Sequence, residues 1–192
     1  FPVRASENSF AWVTCDHVLN RFIRDYGIVT GSELEGGLKI KSLKTLDMIP
    51  VIDMAFKQKY ILLEDFIFEK PVTAVTSSPV PLHPDFHLSK AYKVDNDIFD
   101  YLVTYATQII ARNKLKDNKT SDNLWYEETL PADTVMYSFI IPSCAGNGTE
   151  LSKIRKKLSG ALIQVGGGET VGHGLLKVCE IGKKGADHGS AE

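Results

Sequence analysis

Five glycines, Gly166, Gly167, Gly168, Gly172 and Gly174, fall within nine residues in the stretch LIQVGGGETVGHGLLKV (162–178), between two short apolar runs that read as strands. Glycine loses more conformational freedom on folding than any other residue, so a cluster this dense marks a backbone geometry that other residues cannot supply. Two demands fit: a tight connection between strands, or close approach of the main chain to a ligand. Nucleotide motifs do not fit. A Walker A loop needs a Lys-Ser or Lys-Thr step after its glycines, and none follows. A dinucleotide fingerprint begun at Gly166 meets Val171 where its third glycine belongs, and 175–181 reads as strand rather than helix.

Other chemistries leave few marks. The histidines, His17, His83, His87, His173 and His188, form no HExxH or HxH pair, and Pro84 breaks the helix that would align His83 with His87. Cys15, Cys144 and Cys179 are far apart and lack a CxxC step, so they read as reduced core or near-core thiols, and no metal site is expected. Glu127 and Glu128, in WYEETLP (125–131), are candidate acid/base groups. Neighbours on an extended chain point to opposite faces, so at most one of them serves a given site. A net charge of −2 over 192 residues excludes a protein that grips nucleic acid over its whole surface. A stripe suffices for a phosphate track, and Lys39/Lys41/Lys44, Arg112/Lys114/Lys116 and Lys153/Arg155/Lys156/Lys157 each supply one, or else a solvated face.

Along the chain, FAWVT (10–14) predicts a strand, followed by a helix capped by Thr14 or Asp16 and ended at Gly27. From about 28 to 94 the texture is irregular, with four of the eight prolines between Pro71 and Pro84, as in an insertion or edge hairpin. The spacing of Ile98, Phe99, Leu102, Val103, Ala106, Ile109 and Ile110 predicts a helix over 95–113. A loop at 114–123 follows. Alternating Val135, Tyr137, Phe139 and Ile141 predict a strand, and 149–158 a third helix with Thr149 as N-cap, Leu151, Ile154 and Leu158 inward and Gly160 as stop. The reading is one α+β domain over 1–182 with a polar tail at 183–192. No apolar run is long enough for a membrane span, so the expected location is the cytoplasm, with no membrane partner.

Three blocks, FPVRASENSFAWVTCDHVLNRF, LWYEETLPADTVMYSFII and LIQVGGGETVGHGLLKV, together resemble the backbone subunit of the type III-B CRISPR RNA-targeting (Cmr) complex, a member of the RAMP superfamily. The resemblance runs in the family's order over nearly the whole chain. It implies a ferredoxin-like, RRM-type RAMP fold with large insertions, whose palm holds guide RNA and whose thumb hairpin interrupts the guide–target duplex. It implies as partners guide RNA, target RNA, copies of the chain stacked in a filament and other CRISPR effector subunits, all serving antiviral defence. Sequence is read by base pairing in such complexes, so the protein binds RNA by shape and backbone. By this resemblance Gly166, Gly167, Gly168, Glu169, Thr170, Gly172 and Gly174 face RNA, with Arg4 and Lys177 beside them.

In two places the sequence departs from the family. ASEN (5–8) replaces a Leu-Lys-Gly-like step, leaving Arg4 as the local cation. Relatives also carry a strand, a loop with the acidic residue credited with target-RNA cleavage, and a helix ahead of the first block. The expectation is a C-terminal portion of the family's length, incomplete at the N-terminus, in which that acidic residue has no counterpart and the sheet needs strands from elsewhere. The family's cleavage uses a divalent metal, and in this chain Glu127, Glu128 and His173 are the candidates for a catalytic part. Two other readings are a self-sufficient RAMP endoribonuclease that processes guide RNA, using His173 with Tyr126 or Tyr137, and a non-catalytic protein–protein assembly module.

Overall fold

The computed structural model describes residues 1–7, 9–31, 46–48, 60–69, 91–142 and 149–181. The lysines at 39–44, the proline-rich stretch at 71–84, His83, His87, His188, Cys144 and the tail at 183–192 lie outside the described residues. The chain is mixed α+β and divides into two compact units, the first of Phe1–Arg21, Lys41–Thr76 and Ser89–Met136, the second of Phe22–Ile40, Ser77–Leu88 and Tyr137–Glu192.

In the first unit, β1 (Pro2–Arg4) runs antiparallel to β2 (Phe10–Thr14), and β2 pairs in parallel with β5 (Ala91–Lys93), so β2 is central. A parallel pair needs a crossover, and helix α1 (Asp16–Thr30) lies in it. Strands β3 (Tyr60–Leu63) and β4 (Phe66–Glu69) make a hairpin stitched to the first sheet by the Ala5–Leu63 bridge and by Leu46, whose amide donates to the Lys93 carbonyl at 2.8 Å. Alternation sends Ile61, Leu63 and Phe68 inward, where they meet Val3, Ala11, Val13, Leu46, Val94 and Leu102 of helix α2 (Asn96–Tyr105) in one core. Ile61, Leu63, Phe68 and Leu102 are wholly buried.

The structure corrects four of the expected elements. Helix α1 passes through Gly27 and ends at Gly31, whose φ of +66° closes it with a bond from its amide to the Gly27 carbonyl. A glycine inside a helix costs about 1 kcal/mol, too little to stop one whose Leu19, Phe22 and Tyr26 are buried. The predicted 95–113 helix is two elements: α2 stops at Tyr105, and Gln108–Leu115 is strand β6, paired antiparallel with β7 (Ser121–Thr129). The β-branched pair Ile109–Ile110 favours strand once a partner is present, and the loop narrows to residues 116–120. Beyond β7, Pro131 and Asp133 (φ +64°) turn the chain, and 134–142 carries no strand; Tyr137 and Phe139 are half-buried while Val135 and Ile141 are exposed.

In the second unit, Phe22, Tyr137 and Phe139 stack edge to face, and the Tyr137 hydroxyl donates to Asp25 at 3.1 Å. Helix α3 (Thr149–Leu158) has Thr149 as its first helical residue and ends at Gly160 (φ +70°), but Leu151 and Leu158 are only half-buried and Ile154 is exposed, against the expected inward placement. It leads into β8 (Leu162–Gln164), which pairs antiparallel with β9 (Leu175–Lys177).

Candidate nucleic-acid interface

The glycine run is the connection between β8 and β9. Its amides and carbonyls close on one another: Val165 N–H donates to Gly174 O, Gly172 N–H to Glu169 O, and Val171 and His173 N–H both to Gly168 O, around a 3-10 turn at Glu169–Val171. Gly166, Gly168, Gly172 and Gly174 have φ between +76° and +84°, a region that costs other residues about 1–2 kcal/mol. Gly174 is constrained twice, because a Cβ there would stand 2.1 Å from the Val165 carbonyl oxygen. A Cβ on Gly168 would stand 3.1 Å from the His173 Cβ and 3.3 Å from its ring Nδ1. Gly167 differs from the other four. Its φ is ordinary and a Cβ on it would meet nothing within 4 Å, so the fold of the loop does not call for a glycine there.

Gln164 is a bracing residue with no signal in its sequence context: its Nε2 donates to the His173 carbonyl at 2.6 Å, tying the strand end to the far side of the loop. Glu169 and Thr170 are exposed at the turn, His173 is half-buried, and Lys177 is exposed opposite Leu162. Below the loop, Gly160 and Val178 exchange backbone bonds with the helix end through Gly160 N–H to Val178 O and Val178 N–H to Ala161 O. The Arg155 guanidinium grips both Glu180 oxygens, at 2.7 and 3.0 Å.

Arg4 belongs to the first unit. Its guanidinium donates to Glu64 at 2.6 and 2.7 Å, its backbone amide donates to the other carboxylate oxygen, and its carbonyl accepts from Glu64 N–H. These four contacts hold Glu64 in its left-handed turn (φ +49°) and, by the hydrogen bond and the charge of Glu64, raise the Arg4 pKa above its ordinary value. The side chain is still 82% exposed, so a phosphate reaching it meets a cation already shared with a carboxylate.

Glu127 and Glu128 lie opposite Ile110 and Ile109 on β7 and alternate in burial, as adjacent strand residues must. Glu127 accepts from Arg112 Nε at 2.9 Å and from the Trp125 indole at 3.0 Å; Glu128 accepts from the Thr107 hydroxyl. Arg112 therefore pairs within the hairpin and does not lie near the end of the expected 95–113 helix. With the two carboxylates facing apart and each engaged, they do not make a divalent-metal site. Among the described residues no group of three or more His, Cys, Asp or Glu side chains could hold a metal ion. Nor is any described helix long and apolar enough to cross a membrane.

No family model matches the chain. A curated relative, the CRISPR system Cmr endoribonuclease Cmr4 of Pyrococcus furiosus, is 31% identical over 98% of this chain and 68% of its own length. The crystal structure of oligomeric Cmr4 from Pyrococcus furiosus is 25% identical over 93% of this chain and 68% of that one, with a TM-score of 0.60. A cryo-EM structure of the type III-B Cmr-β complex bound to cognate target RNA contains a chain of the same fold, 15% identical, with a TM-score of 0.61 over 92% of this chain and 65% of that chain.

Proposed function

The chain belongs to the Cmr4 family of CRISPR Cmr proteins, and on that premise we propose that it works as a guide-RNA-binding backbone subunit of a type III-B RNA-targeting complex in antiviral defence. Its partners are guide and target RNA, other effector subunits and further copies of itself in a filament, in the cytoplasm. The RAMP domain spans 1–182 and is ferredoxin-like, which the parallel β2–β5 pair with α1 in its crossover supports. The β6–β7 hairpin, eight and nine residues long, has the form of the family's thumb.

The observation that carries the RNA-binding reading is Gly167. Four glycines of the run answer to backbone geometry, and the fifth answers to nothing inside the protein. A glycine with free space above it lets a ligand approach the main chain, and a sugar-phosphate backbone is such a ligand. Residues 166–170, 172 and 174 then form the RNA-facing loop, with Lys177 as its accessory cation, and Arg4, in the first unit, is a separate contact for the RNA backbone. Glu127, Glu128 and His173 remain the chain's own acid/base groups, and no cleavage step is assigned to them.

The test is binding of a labelled single-stranded RNA of guide length across a salt series, for the chain and for Gly167→Ala. Salt-sensitive binding that falls roughly tenfold in the variant, about 1.4 kcal/mol, is the expected result. Equal binding by the two proteins would remove the loop from the RNA surface.

A further inference from the structure

We propose that the outer face of helix α3 is a second RNA-backbone site, a three-lysine comb that extends the footprint of the glycine loop; the inference rests on the RNA-binding reading above. At 100° per residue, Lys153, Lys156 and Lys157 fall in one sector of about 100°, while Leu151, Ile154 and Leu158 occupy the opposite flank. Arg155, between the two, is spent on Glu180, and that bidentate grip fixes the helix against the end of the β8–β9 hairpin. The lysine sector is left pointing away from the hairpin.

Four cations and one carboxylate in ten residues contrast with the chain's overall charge of −2. The helix dipole accounts for cations in the last turn, Arg155, Lys156 and Lys157, but Lys153 sits a turn earlier. All three lysines are exposed, and among the described residues no carboxylate lies within ion-pair distance of them. Side chains three and four apart on a helix stand roughly 5–6 Å from one another, close to the step between successive phosphates of an extended single strand. The helix runs through Gly160 directly into β8, so one stretch of covalent chain joins the comb to the loop.

The experiment uses the full chain carrying Lys153→Gln, Lys156→Gln and Lys157→Gln together, a Lys→Arg triple at the same positions, and Gly167→Ala, each titrated with single-stranded RNA of guide length over a salt series and checked for helix content. The expected result is a loss of at least tenfold at low salt for the Gln triple. The slope of log affinity against log salt should become shallower by about 2, from 0.7 per phosphate contact, and the Arg triple should retain binding. A Gln triple with native affinity and slope overturns the inference, whether or not Gly167→Ala has lost binding, which reports on the loop alone. Loss of self-association at unchanged RNA affinity also overturns it, by making the face a protein contact. Failure of the unmodified chain to bind RNA overturns both readings.

Discussion

The β1–β2–β5 sheet with its β3–β4 hairpin and helix α2, set beside the α3–β8–β9 segment, shows two ways in which one chain holds a shape. The first closes on itself: Ile61, Leu63, Phe68 and Leu102 have no solvent exposure, and the sheets are joined edge to edge. The second buries no residue of its helix or of its 3-10 turn, and Leu162, Val165, Val171 and Leu175 are each more than half exposed. Its order comes from a ladder of backbone bonds and from glycines set at positive φ. Apolar burial stabilises the first in proportion to area, whereas local geometry specifies the second with little burial to support it. A surface made that way is available to a partner, and its weakest points are backbone positions rather than core side chains.

The largest effect should separate the two. Phe68→Ala deletes a fully buried ring and should cost about 3–5 kcal/mol in denaturant unfolding, with RNA affinity per folded molecule unchanged. If affinity falls in parallel with stability, the division of labour is wrong. Gly174→Ala should do the reverse. Its Cβ meets the Val165 carbonyl and its φ is left-handed, so the hairpin must open locally at a cost of about 1–2 kcal/mol or more. Hydrogen exchange should show lost protection at Val165 and the β8–β9 amides, with core amides unaffected, and RNA binding should weaken further than in Gly167→Ala. Protection retained at Val165 would contradict the close approach.

How much of this was legible differs between the regions for the same reason. The glycine hairpin was readable because positive φ is a local demand written in residue type, and Gly160 marks the end of α3 just as locally. The 95–113 stretch misled because Ile98, Phe99, Leu102, Ile109 and Ile110 satisfy a helical period throughout. What made 108–115 a strand is the partner at 121–129, and no window around Ile109 contains that information. The Arg4–Glu64 clasp, sixty residues apart, and the Lys93–Asp16 pair at 3.0 Å, which leaves that lysine almost wholly buried, depend on tertiary contacts alone. Gly167 is the reverse case. Sequence counts it with the other four, and only the backbone angles set it apart.

The smallest effect concerns the β6–β7 hairpin, where the sequence offered two carboxylates for chemistry. Glu127 is placed between Arg112 and Trp125, and Glu128 on the other face against Thr107, so both are engaged in holding a ladder whose apolar side chains Ile109, Leu124 and Tyr126 are exposed. Partly exposed ion pairs of this kind contribute about 1 kcal/mol or less. Glu127→Gln should therefore cost less than about 1 kcal/mol in unfolding and Glu128→Gln less still, and if a reconstituted complex containing the chain cleaves target RNA, neither variant should change that cleavage. A hundredfold loss of cleavage in either variant, at unchanged stability and RNA affinity, would make that carboxylate catalytic. The hairpin would then be part of the chemistry rather than a scaffold, and the contrast between a self-contained core and a partner-facing surface would have to be redrawn with the reacting groups on the first unit.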